Sequence, residues 1–300
     1  METPEVRYDQ LQNRMLKLYR EGRQREVLGL LEEVDVDLAP WSAEIAHFEA
    51  CMHGSLGDAE SALKVLQRAS AAGAWWHEPL LLEDDDLAVL RDRPELAELV
   101  KVSRERMANG EASWTVQLPD SRRVSGVVVA LHGAGQHAMR AAKDWAPVLG
   151  LGYALVAIDS SQLISPKFRT WVDRDVTARD VAAALADLPD ELQGLPMIAA
   201  GFSNGGRAAL EWALTADPVP VDGVILLAPS LRALPETAGT PSKSLSPATI
   251  FIGTEDNALP RVEAAADQLT GLGFEIIRIP GLNHTAPPDL ADRLTRLLGT

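Results

Sequence analysis

Residues 196–215 read PMIAAGFSNGGRAALEWALT, and this stretch decides the fold. An apolar run at 196–200 leads directly into Gly201-Phe202-Ser203-Asn204-Gly205, and a helical pattern follows over 207–215. A short apolar run that ends in a glycine-rich turn and continues as a helix predicts a strand–turn–helix unit. The glycines two positions before and after Ser203 remove side chains that would collide in a very tight turn. Ser203 is therefore predicted to be an exposed nucleophile at the end of a buried strand.

The same alternation of strands and helices continues on both sides of this unit. Further apolar or β-rich runs occupy residues 114–118, 127–131, 154–158, 224–228, 249–252 and 275–279. Helical patterns separate them at residues 139–149, 176–188 and 261–272, and a closing helix starts at residue 290. Continuous apolar runs joined through helices predict an α/β fold with a doubly wound, mostly parallel sheet. An active site is expected at the carboxyl ends of its strands.

The chain before residue 110 has a different character, because helical spacing continues there without strand runs. We predict an all-helical domain over residues 1–110 and the α/β domain over residues 112–300. Residues 19–31 align with residues 54–66 at an offset of 35, pairing Gly22 with Gly57 and Leu28 with Leu63. This period is similar to that of tetratricopeptide helical hairpins. An irregular helical region with accidental periodicity is the alternative.

The amino-acid composition and the motifs that are missing exclude several classes of partner and cofactor. The chain has 43 acidic and 28 basic residues and a formal net charge of −15. Such a field repels nucleic acid and anionic membrane surfaces, so neither is an expected partner. The single cysteine, Cys51, excludes an intramolecular disulfide and fits a buried apolar position. We expect a cytoplasmic protein, because neither a secretory signal nor a membrane-spanning segment is recognisable. Metal and cofactor motifs are also missing, so neither is expected.

Three more motifs occupy strand ends. His132-Gly133-Ala134-Gly135-Gln136 follows the run at 127–131, and its small residues leave backbone N–H groups unhindered. His132 is a candidate base, but its place inside the turn favours a hydrogen bond to backbone.

Residues 253–260, GTEDNALP, follow the run at 249–252, and residues 279–285, IPGLNHT, follow the last run. Asp256 is the preferred acid in the first motif and Glu255 its competitor, while His284 is the histidine of the second. A carboxylate that orients a histidine beside a serine is the pattern of nucleophilic acyl transfer.

The motifs occur in the order oxyanion loop (residues 132–136), serine, acid and histidine. In this order they resemble the α/β-hydrolase superfamily, in particular its esterase, carboxylesterase and dienelactone-hydrolase-like members. The resemblance covers about residues 112–300. It implies Ser203 as nucleophile, His284 as general base and Asp256 as the residue that orients the histidine.

The resemblance also implies an oxyanion hole and a substrate-binding rim. The hole is expected from the backbone N–H groups of Ala134 and Asn204, with Gly135 or Gln136 as alternatives to Ala134. The substrate rim is expected to include Gly135, Gln136, His137, Ser161, Gln162 and Trp171. A plain loop with one packed aromatic is an equal alternative for the last three.

The predicted activity is hydrolysis of a small carboxylic ester through an acyl-enzyme, and a thioester or peptide bond is the alternative substrate. A non-catalytic interaction or sensor protein, with the helical domain as partner platform, is the alternative class. Two hairpins cannot bury their own apolar faces. The helical domain is therefore expected to act as a lid over the rim or to form a homodimer.

Overall fold

The computed structural model describes residues 3–108, 110–121, 123–231 and 244–299. The chain divides into two compact units. The first contains the chain up to residue 109 together with Leu163–Phe168, and the second contains Gly110–Gln162 and the chain from Arg169 onward. None of the helices in these described ranges is both long and apolar enough to cross a membrane.

The first unit is helical. Its helices are α1 (Pro4–Arg20), α2 (Gln24–Leu31), α3 (Ser42–Ser55), α4 (Ala59–Ala71), α5 (Glu78–Leu82) and α6 (Pro94–Arg106), with 3-10 turns at Val36–Trp41 and Asp85–Leu90. Asp58 caps α4 by accepting the backbone N–H of Ser61 at 3.0 Å. The core is apolar and includes Met15, Met52, Leu66, Trp76 and Leu87, all fully buried.

The two expected hairpins are α1–α2 and α3–α4. Gly22 and Gly57 occupy equivalent turns with φ of 72° and 79°, a conformation that favours glycine. The pairing of these glycines agrees with the sequence alignment, whereas a relationship to tetratricopeptide repeats stays a prediction.

The segment Leu163–Phe168 packs within the helical unit although its neighbours in sequence belong to the other unit. The buried carboxylate of Glu44 accepts the Ser165 hydroxyl at 2.6 Å and the Lys167 backbone N–H at 2.7 Å. The backbone N–H of His77 donates to the Ile164 carbonyl at 2.7 Å. These bonds satisfy the polar groups that the segment buries.

The second unit is built on a seven-stranded sheet. Its strands are β1 (Ser113–Gln117), β2 (Gly126–Leu131), β3 (Tyr153–Asp159), β4 (Met197–Phe202), β5 (Gly223–Leu227), β6 (Ala248–Gly253) and β7 (Glu275–Ile279). The spatial order is β1-β3-β2-β4-β5-β6-β7. All neighbouring pairs are parallel except β1 with β3. The predicted α/β, doubly wound and mostly parallel sheet after a helical region is confirmed.

Helices cover both faces of this sheet. They are α7 (Ala138–Trp145), α8 (Arg174–Ala186), α9 (Asn204–Thr215), α10 (Leu259–Ala264), α11 (Ala266–Gly271) and α12 (Leu290–Leu298). Val127, Val129 and Leu131 of β2 face the core shared with α8 and α9. Val128 and Ala130 face the core shared with α7 and α12. The strand is therefore buried on both faces, which explains its continuous apolar sequence.

Two predicted helices differ in extent. The pattern at 139–149 is an α-helix only to Trp145 and continues as a 3-10 turn over Ala146–Leu151. Pro147 lies at its start, and proline has no N–H to donate to the preceding α-helical turn. The pattern at 261–272 is divided between α10 and α11 at Ala265.

Candidate active site

Ser203 lies between the end of β4 and the first residue of α9. Its φ of 53° and ψ of −118° are rare for a residue with a side chain, so the turn is strained. The turn is held by the Ser203 N–H, which donates to the Leu227 carbonyl of β5 at 3.0 Å. This geometry lifts the serine out of the strand while the neighbouring strand fixes its backbone.

The glycines on either side of Ser203 are required by backbone contacts. A Cβ atom on Gly201 would lie 2.3 Å from the Gly205 carbonyl oxygen. A Cβ atom on Gly205 would lie 2.2 Å from the Leu131 oxygen and 2.3 Å from the His132 oxygen. Only glycine allows α9 to start this close to the end of β2.

The structure brings Ser203, His284 and Asp256 together from three separate loops. His284 Nε2 lies 2.9 Å from Ser203 Oγ. His284 Nδ1 lies 2.8 Å and 3.0 Å from the two carboxylate oxygens of Asp256. With Nδ1–H donating to the carboxylate, Nε2 carries the lone pair that accepts the serine proton. The Asp256 side chain is fully buried, while a quarter of the His284 side chain is exposed.

The two acidic candidates have different environments. Asp256 Oδ1 also accepts the backbone N–H of Ala258 at 2.8 Å, which fixes the carboxylate. Glu255 is exposed, and its backbone N–H donates to the Leu282 carbonyl at 3.0 Å. The tight turn after β6 therefore directs Asp256 inward and Glu255 to solvent.

His132 is buried and both of its ring nitrogens are engaged. Nδ1 lies 2.7 Å from the Gly133 carbonyl oxygen, to which it donates, and Nε2 accepts the backbone N–H of Ser160 at 3.2 Å. Burial is the main reason that the pKa of His132 falls from 6.5 to about 4. The imidazole is thus neutral near pH 7 and has no free lone pair with which to act as a base.

The loop after β2 contains the three candidate oxyanion donors. The N–H of Gly135 donates to the Arg169 carbonyl at 2.9 Å, and that of Gln136 donates to the Gly133 carbonyl at 3.1 Å. Across the described part of the chain, no hydrogen-bond acceptor is recorded for the N–H of exposed Ala134. This difference favours Ala134 over Gly135 and Gln136 as the donor from this loop.

Asn204 is the first residue of α9, where a helix leaves its N–H groups without intrahelical acceptors. Its side-chain amide donates to Thr170 Oγ1 at 3.0 Å, which positions the residue directly after the nucleophile. The positive end of the helix dipole adds to the attraction for a developing negative charge.

Ser161, Gln162 and Trp171, which were candidates for contact with substrate, are buried and hydrogen-bonded to protein. The Ser161 N–H and hydroxyl bind Asp180 at 2.7 and 3.0 Å. Gln162 uses both ends of its amide on neighbouring backbone and Thr177. Trp171 Nε1 donates to the His132 carbonyl at 2.9 Å. With these bonds the three side chains position the loop after β3 rather than present free polar atoms to a ligand.

The other rim candidates are Gly135, Gln136 and His137. Gln136 Oε1 accepts the backbone N–H of Gly133 at 2.9 Å, which braces the oxyanion loop. Gly135 has a φ of 71°, and His137 lies half-buried directly before α7. These residues shape the loop beside Ala134.

Two buried charged residues, Asp180 and Arg207, also support the site, and sequence reasoning missed both. Asp180 holds Ser161, and the Arg207 guanidinium binds Glu211 at 2.6 Å and the Trp171 carbonyl. Each lies on a helix, α8 or α9, and a charged residue on a helix gives no sign in sequence that it faces inward.

Two family models match the chain. The first, described as the N-terminal domain of A/B hydrolase-like proteins, matches residues 7–111. The second, described as serine aminopeptidase, S33, matches residues 122–253. The second match includes Ser203 and the oxyanion loop but ends before Asp256 and His284. No curated protein matches the chain.

Solved structures resemble it in fold. An uncharacterized protein from Bacillus cereus ATCC 10987 is 24% identical, with 96% of each chain covered and a TM-score of 0.51. An alpha-beta serine hydrolase homologue from Coxiella burnetii is 17% identical over 63% of this chain and 93% of that chain, with a TM-score of 0.52. A lipase in its open form is 15% identical over 62% of this chain and 93% of that chain, with a TM-score of 0.53.

The sheet topology and the serine turn define the class, which is the α/β hydrolases. Together with the two family matches, they show that the chain belongs to the α/β-hydrolase superfamily. These findings support a hydrolase.

Proposed function

We propose that this protein is a serine hydrolase that cleaves a small carboxylic ester through an acyl-enzyme. One observation carries the proposal. Ser203 Oγ, the His284 ring and the Asp256 carboxylate form a continuous hydrogen-bonded chain of 2.9 and 2.8 Å at a strained strand–helix turn. A nucleophile in contact with a base, and a base oriented by a buried acid, is the arrangement that acyl transfer requires.

In the first half of the reaction, Ser203 Oγ attacks the ester carbonyl carbon as its proton passes to His284 Nε2. The negative charge on the former carbonyl oxygen is stabilised by the N–H groups of Ala134 and Asn204. Asp256 stabilises the imidazolium through Nδ1–H. The tetrahedral intermediate then collapses, the bond to the alkoxide breaks, and His284 protonates the departing alcohol.

In the second half, a water molecule takes the place of the alcohol. His284 accepts a proton from the water, which attacks the acyl-Ser203 carbonyl through a second tetrahedral intermediate. Its collapse releases the carboxylic acid and returns the proton to Ser203 Oγ.

Peptide hydrolysis is the second candidate, because the matched family model carries the description serine aminopeptidase. Similarity in fold to a lipase favours the ester. A thioester would follow the same steps, with a thiolate as the leaving group. The bond cleaved is decided by comparing p-nitrophenyl esters and acyl thioesters with aminoacyl p-nitroanilides on the same preparation.

The first experiment combines an ester panel with a fluorophosphonate probe, which labels an activated serine. We expect labelling at Ser203, and Ser203→Ala should lower turnover by on the order of 10⁶ while the protein remains folded. Ser55→Ala is the matched control, because Ser55 is exposed at the end of α3. Labelling of any other serine would show that the nucleophile is misassigned.

The competing proposal is a non-catalytic interaction or sensor protein that uses the helical unit as a partner platform. It predicts no labelling and no hydrolysis with any substrate of the panel. We likewise propose that the protein is cytoplasmic and that it forms a homodimer through the helical unit. Neither nucleic acid nor a membrane is proposed as a partner. Light scattering of the full chain tests the dimer.

A further inference from the structure

The helical unit contains a second group of chemically reactive side chains. His47 and Cys51 lie one turn apart on α3, and Asp84 lies just before the 3-10 turn Asp85–Leu90. Each of the three places a nitrogen, sulfur or oxygen atom within 4.8 Å of the other two. Cys51 Sγ is 3.7 Å from His47 Nδ1 and 3.5 Å from Asp84 Oδ2. Neither the fold nor the proposed hydrolysis accounts for this group.

The two outer residues are held in place by hydrogen bonds, and Cys51 Sγ lies 3.7 Å from His47 Nδ1 and 3.9 Å from His47 Nε2. His47 Nε2 donates to the Leu80 carbonyl at 2.9 Å, so the lone pair of the neutral ring is on Nδ1. Asp84 Oδ1 accepts the backbone N–H of Asp86 at 3.0 Å, and Oδ2 is left directed toward Cys51. In metal-bound histidines the N–H of the second ring nitrogen characteristically donates to a carbonyl or carboxylate, and bound carboxylates are themselves hydrogen-bonded.

Close packing of the backbone brings the Asp84–Asp86 turn next to α3. A Cβ atom on Gly54, three residues after Cys51, would lie 2.0 Å from the Asp86 carbonyl oxygen. Glycine therefore allows the Asp84–Asp86 turn to lie directly against α3. The close packing brings the carboxylate of Asp84 within reach of the two side chains on the helix.

The basic group beside the Asp84 carboxylate is His47, whose Nε2 lies 4.0 Å from Oδ2. In the described ranges, no lysine or arginine forms a salt bridge with the Asp84 carboxylate. Arg91 instead binds the Asp85 carboxylate and the Leu82 and Asp84 carbonyls.

We propose that His47 Nδ1, Cys51 Sγ and Asp84 Oδ2 bind a divalent transition-metal ion of the zinc class, with water as the fourth ligand. Nitrogen, thiolate and carboxylate are the donor atoms that Zn²⁺ prefers. Bond lengths of about 2.0–2.3 Å at tetrahedral angles separate such donors by roughly 3.3–3.7 Å. The observed separations from Sγ, 3.5 and 3.7 Å, agree with this geometry. His47 and Asp84 are partly exposed, which gives the ion a path from solvent.

Cobalt substitution in the full-length, reduced protein tests the site independently of any hydrolase activity. Thiolate-bound Co²⁺ has a ligand-to-metal charge-transfer absorption, and Cys51 is the only cysteine that can produce it. We expect the band to saturate at one Co²⁺ per chain and to be bleached by Zn²⁺. Cys51→Ser should abolish it, and Asp84→Asn and His47→Gln should each weaken Co²⁺ affinity at least about tenfold.

His53→Gln is the matched control. His53 lies on the same helix, and its partner is Asp58 at 3.7 Å. The control should bind Co²⁺ as the wild type does, and circular dichroism establishes that each variant is folded. If Cys51→Ser does not fold, the Asp84→Asn and His47→Gln titrations decide the matter. The proposal is overturned if the wild type shows no saturable band, which leaves a hydrogen-bonded cluster only, or if both variants bind Co²⁺ with wild-type affinity.

Discussion

Gly205→Ala is the most informative change at the serine turn, because the substitution adds one methyl group and removes none of the proposed catalytic atoms. The new Cβ would lie 2.2 Å from the Leu131 oxygen and 2.3 Å from the His132 oxygen, whereas real Cβ contacts essentially never fall below 3.0 Å. Both oxygens belong to the backbone at the end of β2 and cannot rotate away. The start of α9 must therefore move by at least about 0.8 Å.

That displacement has two measurable consequences. Overpacking of this kind costs about 1–3 kcal/mol in the free energy of unfolding. The N–H of Asn204 and the Oγ of Ser203 move with the helix, and a misplacement of about 1 Å lowers kcat/KM by about 10²-fold. We expect both effects together, measured by urea denaturation and by hydrolysis of the best ester of the panel.

Gly29→Ala is the control for the change in residue type. Gly29 lies inside α2, is exposed and has nothing within 4 Å of an added Cβ. Alanine there should raise the free energy of unfolding by up to about 1 kcal/mol and leave kcat/KM unchanged. Wild-type stability and turnover in Gly205→Ala would refute the steric argument. A loss of stability without loss of turnover would refute the role of the α9 N-terminus in holding the oxyanion.

Three further predictions concern the acid, the buried histidine and the buried glutamate. Asp256→Asn should lower kcat by about 10⁴, because a neutral amide no longer stabilises the imidazolium and its NH₂ group favours the wrong tautomer of His284. Glu255→Gln, at the adjacent exposed residue, should have little effect, and the reverse ranking in a kcat assay would transfer the role to Glu255. The pKa of His132 is about 4 in the folded protein and 6.5 without burial, so the unfolded chain binds the extra proton between these values. The stability due to neutral His132 is complete above pH 6.5 and declines by about 3 kcal/mol as pH falls to 4; urea denaturation across this range should lose most of that slope in His132→Gln. Glu44→Ala should cost about 2–4 kcal/mol, because the Ser165 hydroxyl and the Lys167 N–H lose a buried acceptor, and a thermal midpoint equal to that of the wild type would contradict this.

The sequence alone identified every strand of the sheet to within about one or two residues. The reason is that parallel strands buried on both faces must be apolar throughout, which is a local property. The serine turn was identifiable from its own spacing, because a Cβ atom on Gly201 would meet the backbone of Gly205 and Gly206. The contact that requires glycine at 205 is with the backbone at the end of β2, which is distant in sequence. The motifs directly follow predicted strands, and the carboxyl ends of parallel strands lie on one edge of a sheet, so the candidate residues were expected to lie together.

Other features depend on contacts between distant parts of the chain. β1 pairs antiparallel with β3 rather than with β2, the next strand in sequence. The sequence around Ser161, Gln162 and Trp171 does not show whether their side chains contact a ligand or form hydrogen bonds within the protein. Only the positions of Asp180, His132 and the neighbouring backbone make that distinction.

Residue types and their local spacing determined the sheet, the strained serine turn and a short list of candidate acids and bases. The tertiary structure alone decided that Asp256 faces His284 while Glu255 faces solvent, and that both nitrogens of His132 are engaged. It also decided that Leu163–Phe168 packs in the helical unit, against a glutamate more than a hundred residues away in sequence. The physical reason is that periodicity reports which face of an element is buried, whereas the partner that satisfies a buried polar atom is set by where distant segments meet.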